Sequence, residues 1–333
     1  MWHRSSVLVQ IAAGRVVLRQ YRFELGVVAL AALLLAAYIV SVEVRLAAIG
    51  APRECFADWL STGPDGRDDC ANTMPAWVAL FRAESPRIFQ ATMLLPFVAG
   101  LVLGAPLIAR ELEFRTAQTA WSLNPSRLGW LMRQALPILV VLGASVALVS
   151  AAASPLAQHA VDLGDRGYEL IGSHGASVVI RAFASFGVAL FLGALLGRTL
   201  PGLILATSAV VLLSVGIGDV REAWVRAQPP TVVGESTTAI TVGWAWRTPV
   251  GSIITDAEAK AIVPPEVAQL DIGLAQAVNS LEWLDQRGYT LLPLEVTDEV
   301  ATGWTAYDVG LFGIIGVLSA AGSIVVVNTR RPR

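Results

Sequence analysis

Two cysteines carry the chemistry that the sequence predicts most directly. Cys55 and Cys70 are the only cysteines in the chain, and a turn-forming stretch, Thr62–Gly66, lies between them. Two cysteines in an oxidising compartment usually pair, and closing a loop of about 15 residues contributes roughly 3 kcal/mol of stability. We therefore predict a disulfide, with two free thiols as the alternative. Neither cysteine has a histidine at ligand spacing, which disfavours a metal site.

The chain lacks the lysine of a nucleotide-binding phosphate loop. Lys260 is the only lysine, and it follows Ala259 rather than a glycine. A phosphate-binding loop of the GxxxxGK[ST] type needs a lysine directly after glycine. The three histidines are scattered, and neither HExxH nor Gly-x-Ser-x-Gly occurs. We therefore predict no catalytic residue, no bound cofactor and no metal site, so that any ATP is bound by another chain.

Three charged residues lie at or inside apolar stretches. Asp219 and Asp308 resemble the paired aspartates of presenilin-type proteases, and two carboxylates that share a site can activate water. We expect both aspartates at the wetted outer ends of helices, and the order of their motifs along the chain is the reverse of that in the protease family. Both points favour interfacial acids over a protease. Arg181 is the one charge inside a predicted span, a costly position. We expect it to snorkel outward or to pair structurally, with a role in a substrate pathway as the alternative.

Charged and aromatic residues are concentrated between the second and third apolar stretches. Glu111 and Arg115 are four residues apart, the favourable spacing for an ion pair on a helix, and Asn124–Ser126 interrupts the helical pattern. Trp121 is placed for a membrane interface. We predict a short polar-faced helix over 110–127 below the membrane, which a soluble partner could grip; a plain amphipathic connector is the alternative.

Six apolar segments must position these residues. Hydrophobic residues make up 55% of the 333 residues and charged ones 15%, against about 45–50% and about 25% in soluble domains. This composition excludes an ordinary soluble enzyme, and the net charge of −2 disfavours nucleic acid as a partner. Segments of about 20 apolar residues can span a bilayer. The predicted spans are Leu25–Val42, Ile88–Ala109, Gln134–Val161, Gly175–Gly197, Thr199–Gly218 and Val309–Thr329, and Pro155 is expected to end the third early.

Arginine placement predicts that both termini are cytoplasmic. Segments 1–24, 110–133, 330–333 and the turn at 198 hold 12 of the 24 basic residues, and basic residues favour the cytoplasmic side. We expect residues 1–24 to form an amphipathic interfacial helix in contact with membrane lipids, 25–218 to hold spans one to five, 219–306 to form an extracytoplasmic cap, and 307–333 to hold span six and a basic tail.

The segment 104–131 resembles the inside loop of type-2 ATP-binding-cassette (ABC) exporter permeases, particularly a family from high-GC Gram-positive (actinobacterial) species. Gly197–Pro201 resembles the tight inside turn of the same family, and the Cys55–Cys70 loop matches more weakly. Arg115 departs from the usual glycine, so we expect the helix to run longer there. The matching positions are Gly104–Leu107, Ala109–Glu111, Glu113, Thr116, Ala120, Trp121, Ser126, Arg127 and Trp130.

The resemblance implies a permease subunit of the cell membrane that moves substrate out of the cytoplasm. Its partners would be a cytoplasmic ABC ATPase, which binds and hydrolyses ATP, and a second permease, either identical or paralogous. An accessory or sensor protein with an extracytoplasmic ligand-binding domain and no transport activity is the alternative. The coupling residues that the resemblance implies are Arg110, Glu111, Glu113, Arg115, Thr116, Trp121 and Arg127.

Overall fold

The computed structural model describes residues 17–51, 55–56, 68–122, 126–163, 170, 172–227, 231–232, 239–268 and 278–330. Six helices in these ranges are long and apolar enough to cross a membrane. The predicted helical multi-pass membrane fold with six spans is therefore confirmed. In chain order, the helices of this bundle are α1 (Arg22–Ile49), α2 (Asp68–Glu113), the short α3 (Ala117–Ser122), α4 (Arg127–Asp162), α5 (Ala176–Leu196) and α6 (Thr199–Ala227).

The chain divides into two compact units. The first is the helical bundle, which the chain leaves near Gly218 and rejoins at Trp304. The second comprises residues 219–303 and contains β1 (Thr231–Val232), β2 (Ala239–Arg247), β3 (Ile253–Thr255), α7 (Asp256–Ile262), α8 (Pro265–Ala268), α9 (Val278–Asp285) and β4 (Thr290–Thr297); α10 (Asp298–Thr329) then contributes the sixth span.

The second unit contains an antiparallel four-stranded sheet in the order β1-β4-β2-β3. Strand β2 pairs with β4 from Ala239↔Thr297 to Arg247↔Thr290, with an irregularity between Thr241 and Gly243. Its small buried core consists of Trp246, Ala259, Val263 and Leu284. The unit is therefore mixed α/β.

Helix α2 is longer than the predicted second span. The sequence placed its start at Ile88, but the helix begins at Asp68 and has 46 residues, a length of about 69 Å at about 1.5 Å per residue. Its added portion is helical because Met74, Trp77 and Phe81 lie on one face and are buried in a core shared with α1 and α4. The predicted Cys55–Cys70 disulfide is confirmed at this end of the bundle.

Helix α4 continues through Pro155 to Asp162, so the expectation that Pro155 ends it early is wrong. A proline removes one backbone hydrogen bond, but Leu156 and Ala157 are buried on the α1–α2 side, and that burial favours a continuous helix.

Helix α5 is the central element of the bundle and packs most extensively against α2. Two glycines of α2 allow this approach: a Cβ on Gly100 would lie 2.6 Å from the Ala182 carbonyl oxygen, and one on Gly104 would lie 2.5 Å from that of Phe186. Distances this short exclude any side chain. Small residues thus set the spacing of the two backbones, as is common between membrane helices.

Six helix ends meet on one side of the bundle, which we call the short-loop face. It carries the connection 114–126 and the turn at Gly197–Arg198. The end of α2 contacts the start of α1 through Arg110 and Glu24, whose Nη2 and Oε1 atoms are 3.1 Å apart. Residues 1–16 of the predicted interfacial helix lie outside the described residues; Val17 and Tyr21, which follow them, are buried in the main core at this face.

Candidate functional site

The connection on the short-loop face begins with a left-handed turn. Helix α2 ends at Glu113, and Arg115 adopts φ 60°, the only positive φ of a non-glycine residue in the described chain. The expectation that the helix runs longer at Arg115 is therefore wrong. The arginine takes the conformation that glycine adopts most easily, so the turn survives the substitution.

The predicted single helix over 110–127 is replaced by three pieces. Arg110–Glu113 is the last turn of α2, α3 covers Ala117–Ser122, and Arg127 begins α4; residues 123–125, which include part of the predicted break, lie outside the described residues. The favourable Glu111–Arg115 spacing therefore does not act on one helix. Instead, Glu111 accepts hydrogen bonds from the Thr116 hydroxyl and, at 3.4 Å, from Gln20 Nε2.

Three sets of polar contacts join the helix ends on this face, and we call them the clasp. Glu113 Oε2 accepts the Thr199 N–H at 2.9 Å, which caps the start of α6. Arg127 Nη1 donates to the carbonyl oxygens of Val327, Asn328 and Arg330 at 2.9–3.1 Å, which caps the end of α10. Arg330 Nη1 in turn donates to the carbonyl oxygens of Ala194 and Leu195 at the end of α5. Helix ends leave such groups unpaired, so the clasp satisfies them.

Glycine makes room for the clasp at the end of α5. Gly197 has φ 65° and donates its N–H to the Gly193 carbonyl oxygen, which ends α5. A Cβ at this position would lie 2.6 Å from Arg330 Nη2. Both the turn and the arginine contact therefore require glycine here.

Trp121 anchors α3 in the bundle. Its ring is buried, meets the Trp130 ring edge-on, and lies under the Arg127 guanidinium carbon, 4.6 Å from the ring centre. Ala117 is buried in the same core. Trp121 is thus a packing residue rather than a surface residue of this connection.

Phe114 is the residue that sequence reasoning missed. Its side chain is 70% exposed in the turn between α2 and α3, next to the exposed Arg115. Aromatic residues, phenylalanine among them, and arginine are enriched in the cores of protein interfaces. The available signal was a phenylalanine within an otherwise polar run, between Glu113 and Arg115.

Arg181 is buried in a structural ion pair. Its Nη2 and Nε atoms donate to the two carboxylate oxygens of Asp308 at 2.8 and 3.2 Å. Asp308 is 1% exposed, so the expectation that it is wetted is wrong, whereas Asp219 is exposed. The Phe312 ring also faces the Arg181 guanidinium, with 5.2 Å between its centre and the guanidinium carbon. Of the two roles expected for Arg181, the geometry favours structural pairing.

Comparison with known proteins assigns the greater part of the chain to a family. Residues 25–221 match the family described as ABC-2 membrane transporter related. No curated protein and no solved structure matches the chain. Among the residues that the structure describes, no group of three His, Cys, Asp or Glu side chains could hold a metal ion. The matched segment runs from Leu25 in α1 through α5 to most of α6, and it covers more than half of the sequence. The chain belongs to the ABC-2 membrane transporter related family.

Proposed function

We propose that this chain is the permease subunit of an ATP-driven exporter in the cell membrane, with both termini in the cytoplasm. A separate ABC ATPase binds and hydrolyses ATP, and the bundle carries substrate out of the cytoplasm. Family membership supports a transporter subunit. The observation that carries the finer proposal is the turn at Phe114–Thr116, which is exposed and yet lies between two clasp residues.

The ATPase docks on Phe114 and Arg115. Both side chains are exposed, while Trp121 and Ala117 on the opposite side of the connection are buried in the bundle. Because these buried residues hold the turn in place, its exposed aromatic ring loses little conformational entropy when a partner binds. The turn therefore inserts into a groove on the ATPase.

The clasp transmits motion of this turn to three spans. Glu113 is bonded to the first residue of α6, and Arg127 to the last turn of α10. Arg330 extends the link to the end of α5. A force on the turn therefore reaches helix ends that are distant in sequence, because hydrogen bonds as well as side-chain packing transmit it.

A second permease covers α6. Only 17% of the apolar part of α6 and 11% of that of α10 are buried, against 67% of that of α5. The exposed side chains include Leu200, Ile204 and Leu212. A second copy, or a paralogous permease, packed on this helix would complete a two-permease pathway.

Co-purification tests the docking surface. The tagged chain is expressed in its native host, and captured ABC ATPase is quantified by mass spectrometry. We expect Phe114→Ala to reduce the captured ATPase several-fold. Phe23→Ala is the matched control, because Phe23 is 77% exposed but lies at the start of α1. Charge reversal at Glu113 is a poorer test, since it also removes the cap of α6.

Two results would contradict the proposal. If Phe114→Ala captures as much ATPase as the unmodified chain, the docking surface is wrong. If the unmodified chain captures no ABC ATPase, the chain is an accessory or sensor protein rather than a permease.

A further inference from the structure

A groove of about 360 Å³ lies between α4, α5 and α10. Its lining consists entirely of apolar side chains and glycines, including Met132, Leu136, Phe183, Gly313 and Val317. A polar group placed there would find no hydrogen-bond partner and would lose several kcal/mol of hydration. The groove therefore suits a hydrocarbon.

Glycines on α10 shape the groove. At Gly187 and Gly316, α5 and α10 touch, since a Cβ on Gly187 would lie 3.1 Å from the Gly316 carbonyl oxygen. One turn away, a Cβ on Gly313 would meet no atom within 4 Å. The missing side chain at Gly313 thus contributes open space to the groove wall.

The groove opens sideways, and at its short-loop end α4 and α10 are bridged. Met132, Leu136 and Val317 on its rim are 45%, 62% and 70% exposed. At the end near Leu131 and Ile324, Arg127 bridges α4 to the carbonyl oxygens of α10. An occupant therefore enters from the bilayer, and the short-loop end of the groove carries the positive charges of Arg127 and Arg330.

We propose that this groove binds one acyl chain of an anionic phospholipid, whose headgroup lies beside Arg127 and Arg330. Basic residues at a membrane surface attract anionic headgroups, and Arg127 makes its three carbonyl contacts through Nη1 alone. The site needs no ATPase and goes beyond the proposed transport function.

The size of the groove selects a lipid chain over a helix of a second copy. A helix is about 10 Å across, so a helix itself cannot enter a groove of this volume, and a second copy could only lay side chains over it. An empty groove would forfeit the dispersion contacts of its lining. A single narrow, flexible hydrocarbon chain fills it.

Photocrosslinking of the full chain tests the site. The purified chain is reconstituted in vesicles that contain phosphatidylglycerol or phosphatidylcholine with a diazirine in one acyl chain. Adducts are mapped by peptide mass spectrometry. We expect adducts to concentrate on the α4 segment 131–139 and the α10 segment 312–324, several-fold more with phosphatidylglycerol than with phosphatidylcholine.

A matched pair of glycine variants identifies a bound lipid. Gly313→Leu places a side chain in the groove and should reduce labelling of the α4 and α10 segments several-fold. Gly310→Leu is the control, because Gly310 lies on the same helix, also has no atom within 4 Å of a built Cβ, and does not line the groove. Labelling of the exposed Leu33 and Leu34 on α1 should stay constant in both variants.

Three outcomes would overturn the proposal. Equal labelling of all exposed helices, or labelling unaffected by Gly313→Leu, would mean that only bulk lipid covers the groove. Equal labelling by phosphatidylglycerol and phosphatidylcholine would show that the site does not prefer an anionic headgroup. A disulfide between two copies of Leu136→Cys, without acyl adducts in the groove, would show that a second chain covers it.

Discussion

At the residue scale, the turn at Arg115 is the clearest departure from local preference. Glycine adopts the left-handed conformation most easily, and Arg115 adopts it with φ 60°. That conformation costs an ordinary residue roughly 1–2 kcal/mol. Arg115 keeps this conformation because its neighbours are fixed. Glu113 is held by its bond to the start of α6, and Ala117 is buried in the core.

Replacing Arg115 should therefore change stability in two directions. We expect Arg115→Gly to raise the free energy of unfolding by about 1 kcal/mol, and Arg115→Val to lower it, because a β-branched residue tolerates positive φ poorly. Thermal unfolding in detergent measures both. Thr119→Gly in α3 is the control and should lower the free energy of unfolding. If Arg115→Gly lowers it as well, Arg115 does not adopt the left-handed conformation.

The buried pair of Arg181 and Asp308 should behave as one unit. Arg181→Leu leaves a buried carboxylate without its partner, which costs about 3–5 kcal/mol. Adding Asp308→Leu should recover most of that loss, because replacing both charges removes the unpaired ion. Unfolding of the single and double variants measures the coupling. A double variant that is as unstable as the sum of the single ones would show that the two side chains do not act as a pair.

The sequence identified Arg181 but not its partner. Its position inside an apolar run marked it as costly, whereas Asp308 lay at the predicted end of a span and was read as wetted. The pairing depends on the relative depth of α5 and α10, which are joined through more than 100 residues. No local pattern encodes that depth.

At the element scale, apolar runs located all six spans but not their full lengths. Arg82, Glu84 and Arg87 interrupt the apolar pattern, so the first part of α2 was read as a loop. In the structure Glu84 accepts the Tyr38 hydroxyl and pairs with Arg45 at 3.2 Å, which joins α2 to α1. The buried residues Met74, Trp77, Val78 and Phe81, at steps of three and one, were the signal that could have extended the helix.

Helix α7 should lose protection in acid. The backbone N–H and hydroxyl of Thr255 donate to Glu258 at 2.8 and 2.9 Å and lower the pKa of its carboxyl. A depressed pKa means that the carboxylate stabilises the cap above the unfolded pKa of about 4.3, and that this contribution is lost as the pH falls through the folded pKa. Hydrogen exchange of the α7 amides should therefore show lower protection factors at pH 4 than at pH 7.

Thr255→Ala is the control for this pH dependence. It should reduce the difference between the two pH values without abolishing it. Asp256 contributes in the same direction: burial raises the pKa of its carboxyl, but hydrogen bonds from Lys260 and Trp246 outweigh burial and lower it. An unchanged pH dependence in Thr255→Ala would show that the capping box does not govern the end of α7.

At the scale of the whole molecule, the clasp joins residues that are about 200 positions apart. Arg127 and Val327 illustrate this, since the bond between Nη1 and the carbonyl oxygen links the start of α4 to the end of α10. The sequence predicted that Arg127 matters from family resemblance alone. It offered no indication that the arginine caps another span, because the contact exists only once both helices are packed.

Breaking the clasp should loosen α10 from α4. Spin labels at Leu128→Cys and Val325→Cys, two exposed positions, report the separation of the two helix ends; the native cysteines form a disulfide and stay unlabelled. We expect Arg127→Met to broaden a narrow distance distribution. Arg133→Met is the control, because Arg133 Nε donates to Gly129 of its own helix. Equal broadening by both variants would show that Arg127 does not hold α10.

The lone lysine gives the chain a built-in marker. Lys260 lies on α7, where it pairs with Asp256 and keeps 70% of its side chain exposed. Every other basic side chain apart from the histidines is an arginine, which acylating reagents spare at neutral pH. An impermeant succinimidyl ester applied to intact cells would therefore tag the 219–303 unit at one known atom if that unit lies outside. The sidedness of the protein can thus be determined on the unaltered sequence.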